Sequence, residues 1–502
     1  MAHANRRPEE AGGGAQKSPV MIPDQASTHI FYDGGWQKAR SGQQIEVHSP
    51  ATGEWLGSVA SADAEDVDAA VKAAKAAFAG WRDVLARERA DRLRAAAEVF
   101  RANADELAFI DAMDSGNPVA AMRKDVMLTA DYFDYFAGLI LELKGDTLPL
   151  GTGILNFTMK EPLGVVARIA AFNHPVLFVA GRVAAPLAAG NTVIVKPAEQ
   201  TPLSAVRIAE LIGDLFPPGV LNYVTGERDA GVSLVEHPGV SKVALIGSIN
   251  AGRAVMRSAA DTLKSLTLEL GGKNAFIACD DADPASVAGA IVQGMNFASV
   301  AGQSCGSTSR IYVHEAIHDE VVDKVCELVS AIRVGLPTDS ETQMGCLSTE
   351  SQLVKTLQYV EIAKADGAKL LCGGRRLDDG PLANGYFVEP AVFSGVTDDM
   401  RIAREEVFGP IISILKWTDE ADVMQRVNAL DVGLTAAIWT RDISRGHRMA
   451  AKVEAGYVWV NDVGTHMIGM PFGGYKQSGI GKEEAFEEMV GYTRDKNIHL
   501  RY

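Results

Sequence analysis

The stretch Phe297 to Arg310, FASVAGQSCGSTSR, sets one thiol, Cys305, between Ser304 and Gly306, with Gly302 and Gln303 just ahead of it. Small neighbours leave the sulfur approachable, and a loop that follows a helix can aim backbone N–H groups at a reacting oxygen, as a nucleophilic cysteine requires. A lone cysteine more often packs as a small hydrophobe, so the case for chemistry depends on what accompanies it. Glu269 ends the apolar run LTLEL and precedes Gly271-Gly272. A carboxyl so placed is expected to be partly buried, with its pKa raised toward the range of a general base. Asn173 lies in AAFNHP, where Pro175 breaks a strand and opens a helix. Its amide is a candidate donor to an oxyanion, although the same placement suits a cap or turn residue.

A second group of residues could hold a nucleotide. Gly247-Ser248-Ile249-Asn250-Ala251-Gly252 follows the strand KVALI and opens a helix, so backbone N–H groups and the helix's positive end can receive a phosphate, with Ser248 adding a hydroxyl. The spacing is not that of the GxGxxG fingerprint, and many strand–helix turns need a glycine for conformation alone. Lys196 and Glu199, stiffened by Pro197, follow the strand NTVIV. They can bond the two hydroxyls of a ribose, or stand as a solvated surface pair. A carboxylate there repels a 2′-phosphate, which favours NAD over NADP.

The elements that must position these groups alternate from Gly164 to Leu270. GVVARIAAF, NTVIVK, LNYVT, KVALIG and LTLEL read as strands, with helices beginning near Pro175, Pro202, Asp229 and Asn250. That alternation predicts a parallel sheet covered on both faces, binding ligands beyond its carboxyl ends. Five clusters fall at those ends: Phe172-Asn173, Lys196 to Glu199, Thr225-Gly226, Gly247-Ser248 and Glu269 to Gly272. Upstream, Phe31 to Val47 predicts a hairpin, and Ala64–Trp81, Arg87–Met113 and Val119–Leu143 predict helices. Downstream, RIYVHE, FVEPAVF, IISILKW, AAIWT and GYVWV predict strands, with helices over 319–332 and 352–365. The tail NIHLRY alternates as an end strand does, suited to pairing with another subunit's sheet.

Composition bounds the rest. With 502 residues the chain is too long for one core and points to two or three domains. Its 47% hydrophobic and 22% charged residues are those of an ordinary globular protein. A net charge of −16 argues against nucleic acid or an anionic membrane as the main partner. The five cysteines, at 279, 305, 326, 346 and 372, form no CxxC pair and no cluster at zinc-ligand spacing, so no metal is expected and a reducing, cytoplasmic compartment is. Residues 1–28 are polar and Gly-rich, without an apolar segment, and are expected to be a disordered extension.

Four motifs, taken in order, carry a resemblance. LELGGKN at 268–274, GQSCGSTSR at 302–310, EEVFGP at 405–410 and PFGGYKQSG at 471–479 make the chain, from about Phe31 onward, similar to the NAD(P)-dependent aldehyde dehydrogenases. The resemblance implies Cys305 as nucleophile, Glu269 as the base that activates water, and Asn173 with the Cys305 N–H as oxyanion donors. It further implies cofactor contacts from Phe172, Lys196, Glu199, Gly226, Gly247, Ser248, Leu270, Glu406 and Phe408. The fold it implies is α/β, with an NAD-binding domain over 29–142 and 161–273, a catalytic domain over 274–482, and a small β oligomerisation element from 143–160 and 483–502. That element would make a homodimer or homotetramer.

The departures from the family bear on the substrate. Phe172 and His174 flank Asn173 where the family carries Trp and an aromatic residue, Gly181 stands where a bulky aromatic is common, and the loop 462–470 offers His466 in place of an aromatic ring. Together with Ser304, these are the candidate pocket residues. A missing ring at Gly181 would widen the pocket for a bulky or aromatic aldehyde, with the histidines favouring a polar or anionic substituent. The alternatives are a small aliphatic aldehyde or betaine aldehyde, a CoA-acylating enzyme, or a catalytically silent scaffold. Glu269 argues against the CoA-acylating enzyme and the joint presence of Cys305, Asn173, Glu269 and Glu406 against the scaffold.

Overall fold

The computed structural model describes residues 18–502. Five strands of the alternating region, β1 (Val165–Ile169), β2 (Thr192–Lys196), β3 (Leu221–Tyr223), β4 (Lys242–Gly247) and β5 (Ser265–Leu270), pair in parallel in the order 3-2-1-4-5. Their side chains are buried on both faces because helices Pro175–Val179, Leu203–Ile212, Arg228–Glu236 and Ile249–Ala260 cover the sheet. The order reverses between β1 and β4, which leaves a crevice beyond their carboxyl ends. Two antiparallel additions close the edges: the hairpin His29–Tyr32 with Gly35–Lys38 beside β3, and Gly479–Ile480 beside β5.

A second sheet holds β6 (Ala275–Ala278), β7 (Arg310–His314), β8 (Lys369–Cys372), β9 (Ala391–Ser394), β10 (Ile411–Trp417), β11 (Thr435–Trp439) and β12 (Tyr457–Val460). Its order is 8-9-10-7-6-11-12, parallel except for the edge strand β8. The third sheet is antiparallel, with Thr147–Leu148, Ile154–Pro162 and Thr493–Arg501 in register from Thr493↔Pro162 to Arg501↔Ile154.

Several expectations are corrected. The hairpin predicted over 31–47 ends at Lys38, and Gln44–His48 pairs instead with Trp55–Ala60, through which the apolar faces of both strands reach a separate small core. The helix predicted over 87–113 is two, Ala86–Ala102 and Ala104–Ser115. They break at Asn103, whose side-chain amide donates to the Val99 carbonyl at 2.7 Å and competes with the helical pattern. In FVEPAVF only Ala391–Ser394 is a strand, because Pro390 has no N–H to give a ladder. Strands β6 and β8 and helix Pro284–Gly294 lie outside the elements expected.

The predicted disordered extension over 1–28 is ordered from residue 18, with Val20 and Ala26 buried against Leu56, Val59 and Ile110; residues 1–17 lie outside the described residues. The tail pairs with its own chain's Ile154–Pro162 rather than standing free. Of 483–502, only Thr493–Arg501 joins that sheet, since helix Phe486–Val490 and Tyr492 pack into the core of the first one.

That packing rests on a buried layer of charge. Arg168, wholly inaccessible to solvent, lies 2.6 Å from Glu483, and Arg182 bridges Glu483 at 3.3 Å and Glu484 at 2.6 Å. The Glu484 N–H donates to Glu488 at 2.7 Å, and the Arg182 guanidinium lies 4.7 Å from the Tyr132 ring. A carboxylate removed from such a layer leaves a buried cation unpaired, at a cost of about 3–5 kcal/mol. Glu483→Leu is therefore expected to lower the urea midpoint sharply. Arg168→Met added to it should recover part of the loss, and a single variant with an unchanged midpoint would contradict this reading.

Candidate active site

The crevice at the switch point is a cavity of about 430 Å³. It runs from Lys196 and Glu199 past Gly247 and Ser248 to Asn173, Glu269 and Cys305, with Glu406 and Phe408 from the second sheet's side. Residues far apart in sequence meet here because the chain crosses from β5 to β6 through 271–274, so the carboxyl end of one sheet abuts the start of the other.

Cys305 sits in a loop held by backbone geometry. Asn296 (φ 56°), Ala301 (φ 51°) and Gly302 (φ 75°) all adopt left-handed conformations, and a Cβ on Gly302 would lie 2.7 Å from the Gly409 carbonyl. Asn274 anchors the loop, donating from its amide to the Cys305 carbonyl at 2.6 Å and the Ser307 carbonyl at 3.0 Å. Its side-chain oxygen accepts the Thr435 N–H at 3.1 Å. The Asn173 amide donates to the Gln303 carbonyl at 2.9 Å, and the Asn117 amide donates to the Asn173 carbonyl at 2.9 Å. One N–H of Asn173 is so engaged, and the residue lines the cavity. Burial, together with the carboxylates of Glu406 and Glu269, pushes the Cys305 thiol up to about 12, while its own backbone N–H opposes the shift.

Glu269 is 5% exposed, and neither carboxyl oxygen has a hydrogen-bond partner among the described residues. Pairing of Glu269 with Gly479 fixes the strand end, and Gly473 leaves the room the carboxyl needs, since a Cβ there would approach Glu269 Oε1 to 2.8 Å. Burial first, and then the Glu483 carboxylate, raise the Glu269 pKa well above the ordinary carboxyl value. A raised pKa makes the ionised carboxyl a stronger base than an ordinary carboxylate.

At the other end, Lys196 Nζ lies 3.1 Å from Glu199 Oε2. Burial works to raise the Glu199 pKa, but the Lys196 ammonium outweighs it and holds the carboxyl below its usual range. Ser248 caps helix Ile249–Ala260, its hydroxyl accepting the Ala251 N–H at 3.2 Å. Glu406 Oε1 accepts the Gly272 N–H at 3.1 Å, and only a glycine at 271 admits the Glu406 carboxyl, which would otherwise meet a Cβ at 2.0 Å. The Phe172 and Phe408 rings stand 5.8 Å apart, edge to face. Phe408 holds φ 57° and its carbonyl accepts from the Gln352 amide at 2.7 Å.

Two expected contacts fall outside the cavity wall. A Cβ on Gly226 would meet Ala230 at 2.7 Å, so its smallness serves helix packing, and Leu270 packs its methyls against Gly252. The pocket reading of Gly181 is corrected too. A Cβ there would lie 3.1 Å from Leu177 and 3.3 Å from Thr129, with Tyr132 behind them, so neighbours already fill the space a ring would take. His174 is paired through Nδ1 with Asp125 at 2.7 Å, and His466 through Nδ1 with Glu484 at 3.1 Å. His466 is not alone among non-aromatic neighbours: it stacks on Tyr457 at 5.7 Å and lies 4.8 Å from Phe472. Ser304 accepts from the Asn296 amide at 3.3 Å. Asn274, Asn117, Gln352 and Lys355 join the site without having been singled out. Asn274 was readable, as the last residue of LELGGKN, whereas Asn117, Gln352 and Lys355 carry no local signal.

Comparison with known proteins agrees with this geometry. A family model described as the aldehyde dehydrogenase family matches residues 36–498. Aldehyde dehydrogenase tropH of Talaromyces stipitatus is 46% identical over 478 residues, 94% of this chain and 93% of the relative. Among solved structures, an NAD+ complex of aldehyde dehydrogenase from Bacillus cereus superposes with a TM-score of 0.92 at 38% identity, covering 95% of this chain and 96% of that one. Betaine aldehyde dehydrogenase from Staphylococcus aureus, also an NAD+ complex, gives 0.92 at 33% identity and 95% of each chain. With the motifs, the two sheets and the near full-length matches in accord, the chain belongs to the aldehyde dehydrogenase family.

Proposed function

We propose that this protein oxidises an aldehyde to its carboxylate with NAD, using Cys305 as nucleophile and Glu269 as base. The observation that carries the reading is the convergence of the Cys305 loop, the Asn173 amide and an unpartnered, buried Glu269 on one cavity. Cys305 loses its thiol proton to solvent, its Sγ attacks the aldehyde carbon, and the oxygen that gains charge would be received by the Asn173 amide and the Cys305 N–H. NAD, when bound in the crevice, would supply the acceptor for the hydride lost from that carbon. Glu269 then takes a proton from water as it attacks the thioester, and the thiolate departs. Lys196 and Glu199 would hold the adenosine ribose, the N–H groups at Ser248 the pyrophosphate, and Glu406 with Phe408 the nicotinamide riboside.

The substrate reading rests on the other flank of the Cys305 loop. A cavity of about 710 Å³ there is lined by Val292 and Phe297 together with Lys124, Asp125, Gln293 and Asn296. Asn296 links it to Ser304, and Asp125 links it to His174. That mixture of apolar and polar walls supports an aromatic aldehyde carrying a polar or anionic substituent. A quaternary ammonium substrate is disfavoured, because His466 itself occupies the space among Tyr457, Trp459 and Phe472 that a cation would need. Leu148, Met159 and Leu500, each about half exposed on the third sheet, support a homo-oligomer built through that sheet.

Rapid mixing tests the chemistry. Cys305→Ser is expected to abolish NADH formation while NAD binding survives. Glu269→Gln is expected to release one NADH per site and then stall. Because the Glu269 pKa is raised and only its ionised form accepts a proton, the wild-type turnover rate should climb as pH rises through that raised pKa, above the ordinary carboxyl range. Steady turnover by Glu269→Gln would remove Glu269 from the role of base.

Coenzyme choice follows from Glu199. A phosphate on the ribose would face its carboxylate, so kcat/KM is expected to be higher with NAD than with NADP, and Glu199→Ser should narrow the gap. Equal efficiency in the wild type would contradict the assignment.

Among substrates, kcat/KM is expected to be higher for benzaldehydes, above all hydroxyl- or carboxyl-bearing ones, than for acetaldehyde or betaine aldehyde. The reverse ranking would sink the substrate reading while leaving the oxidation itself intact.

A further inference from the structure

The mechanism uses one of the five cysteines. Cys279 and Cys346 are buried apart from any other thiol, and burial raises both. Cys326 and Cys372 differ in that their two elements pack against each other. Cys326 lies on helix His318–Ser330, and Cys372 ends β8, the edge strand of the second sheet. Both are half-buried against the same apolar cluster, beside Val325, Val329 and Val392.

Local structure aims the two side chains at one another. Cys326 and Ser330 are four residues apart, one above the other on a single helix face, and Ser330 lines the same cavity as Cys372. The β8–β9 pairing carries an irregularity between Leu370 and Cys372, of the kind that re-aims a strand's side chains. The turn that follows is set by Gly373 (φ 70°), where a Cβ would strike the Pro390 carbonyl at 1.9 Å. A cavity of about 250 Å³ lined by Ser330, Cys372, Gly373 and Glu389 gives a small reagent access.

We propose that Cys326 and Cys372 form a reversible dithiol–disulfide site that reacts with hydroperoxides. The Cys326 S–H and the Ser330 hydroxyl stabilise a Cys372 thiolate, holding its pKa below the ordinary thiol value, while the neighbouring thiolate pushes Cys326 up. A low-pKa, accessible thiol beside a second, resolving thiol is the arrangement of a redox-sensing pair. Cys372 attacks the terminal peroxide oxygen, the O–O bond breaks, and the leaving alkoxide (hydroxide, from hydrogen peroxide) takes up a proton. Cys372 becomes a sulfenic acid. Cys326 then gives up its proton and attacks the Cys372 sulfur, the S–S bond forms, and the S–O bond breaks to release water. Two thiols and one hydroperoxide yield a disulfide, an alcohol or water, and a second water; a dithiol reductant restores the pair.

The test is peptide mapping of the full-length, fully reduced protein treated with limiting hydrogen peroxide and then alkylated. The expected result is a peptide of helix His318–Ser330 cross-linked to a peptide of β8, reversed by dithiothreitol, at peroxide doses that leave Cys305 alkylatable. In Cys326→Ser, Cys372 should persist as a sulfenic acid and take up dimedone several-fold more than in the wild type. In Cys372→Ser, Cys326 should stay a thiol. Oxidation of Cys305 before any cross-link appears, or equal dimedone labelling of Cys372 in the wild type and in Cys326→Ser, would overturn the proposal.

Discussion

The structure is built around a carboxyl that must be kept dry. Glu269 has neither a hydrogen bond nor a salt bridge within the described residues, and its nearest charged neighbours include two further glutamates, Glu483 and Glu484. Left to itself, such a group would be solvated or would drag its surroundings apart. What prevents this is backbone: the pairing of β5 with Gly479, the bare Cα of Gly473, and the segment 483–492 pinned through Arg168 and Arg182. The C-terminal part of the chain, which returns to the first sheet before the tail leaves for the third, closes the wall behind the base. The arginines that hold it also carry the positive charge that keeps three buried glutamates tolerable.

The same economy appears on the cofactor side. The order reversal between β1 and β4 opens the crevice, but its floor comes from the second sheet's loops, where Glu406 rests on the Gly272 N–H and Phe408 is held in a left-handed conformation by Gln352. Residues 271–274 serve both sheets at once. Gly271 admits Glu406, Gly272 supplies the N–H, and Asn274 clamps the Cys305 loop from beneath. A heptapeptide that reads as a strand followed by a turn is thus the junction through which Glu269, Cys305 and Glu406 are placed relative to one another.

What could be read in the sequence follows from where the signal is local. The five parallel strands and the helix starts were legible because each strand is a short apolar run bounded by glycine or proline, and the clusters at their ends follow by topology. The reactive residues were legible because Cys305 and Glu269 each sit in small, glycine-flanked contexts that packing alone does not require. The pocket was not. Gly181 suggests an opening only if its neighbours stay in place, and Leu177, Thr129 and Tyr132 close in. His466 looked isolated from aromatic rings because Tyr457 and Trp459 arrive from β12, outside its loop. The break at Asn103 and the edge strand β8 were hidden for a related reason, since a side-chain bond to the backbone and a pairing from across the sheet leave no period in the sequence.

One chain therefore carries thiols in opposed electrostatic settings, and the contrast separates their chemistry. Cys305 faces the carboxyls of Glu406 and Glu269 in the crevice, and burial with those two groups raises its pKa. Cys372 ends a sheet edge, where Cys326 and Ser330 lower its pKa against burial. Because the thiolate is the species that attacks both carbonyls and peroxides, the electrostatics that hold the nucleophile in reserve also shield it from adventitious oxidation. The cost is that ionising Cys305 is harder the more charge Glu406 and Glu269 carry. That dependence ties the readiness of the proposed nucleophile to the two carboxyls that line the same crevice.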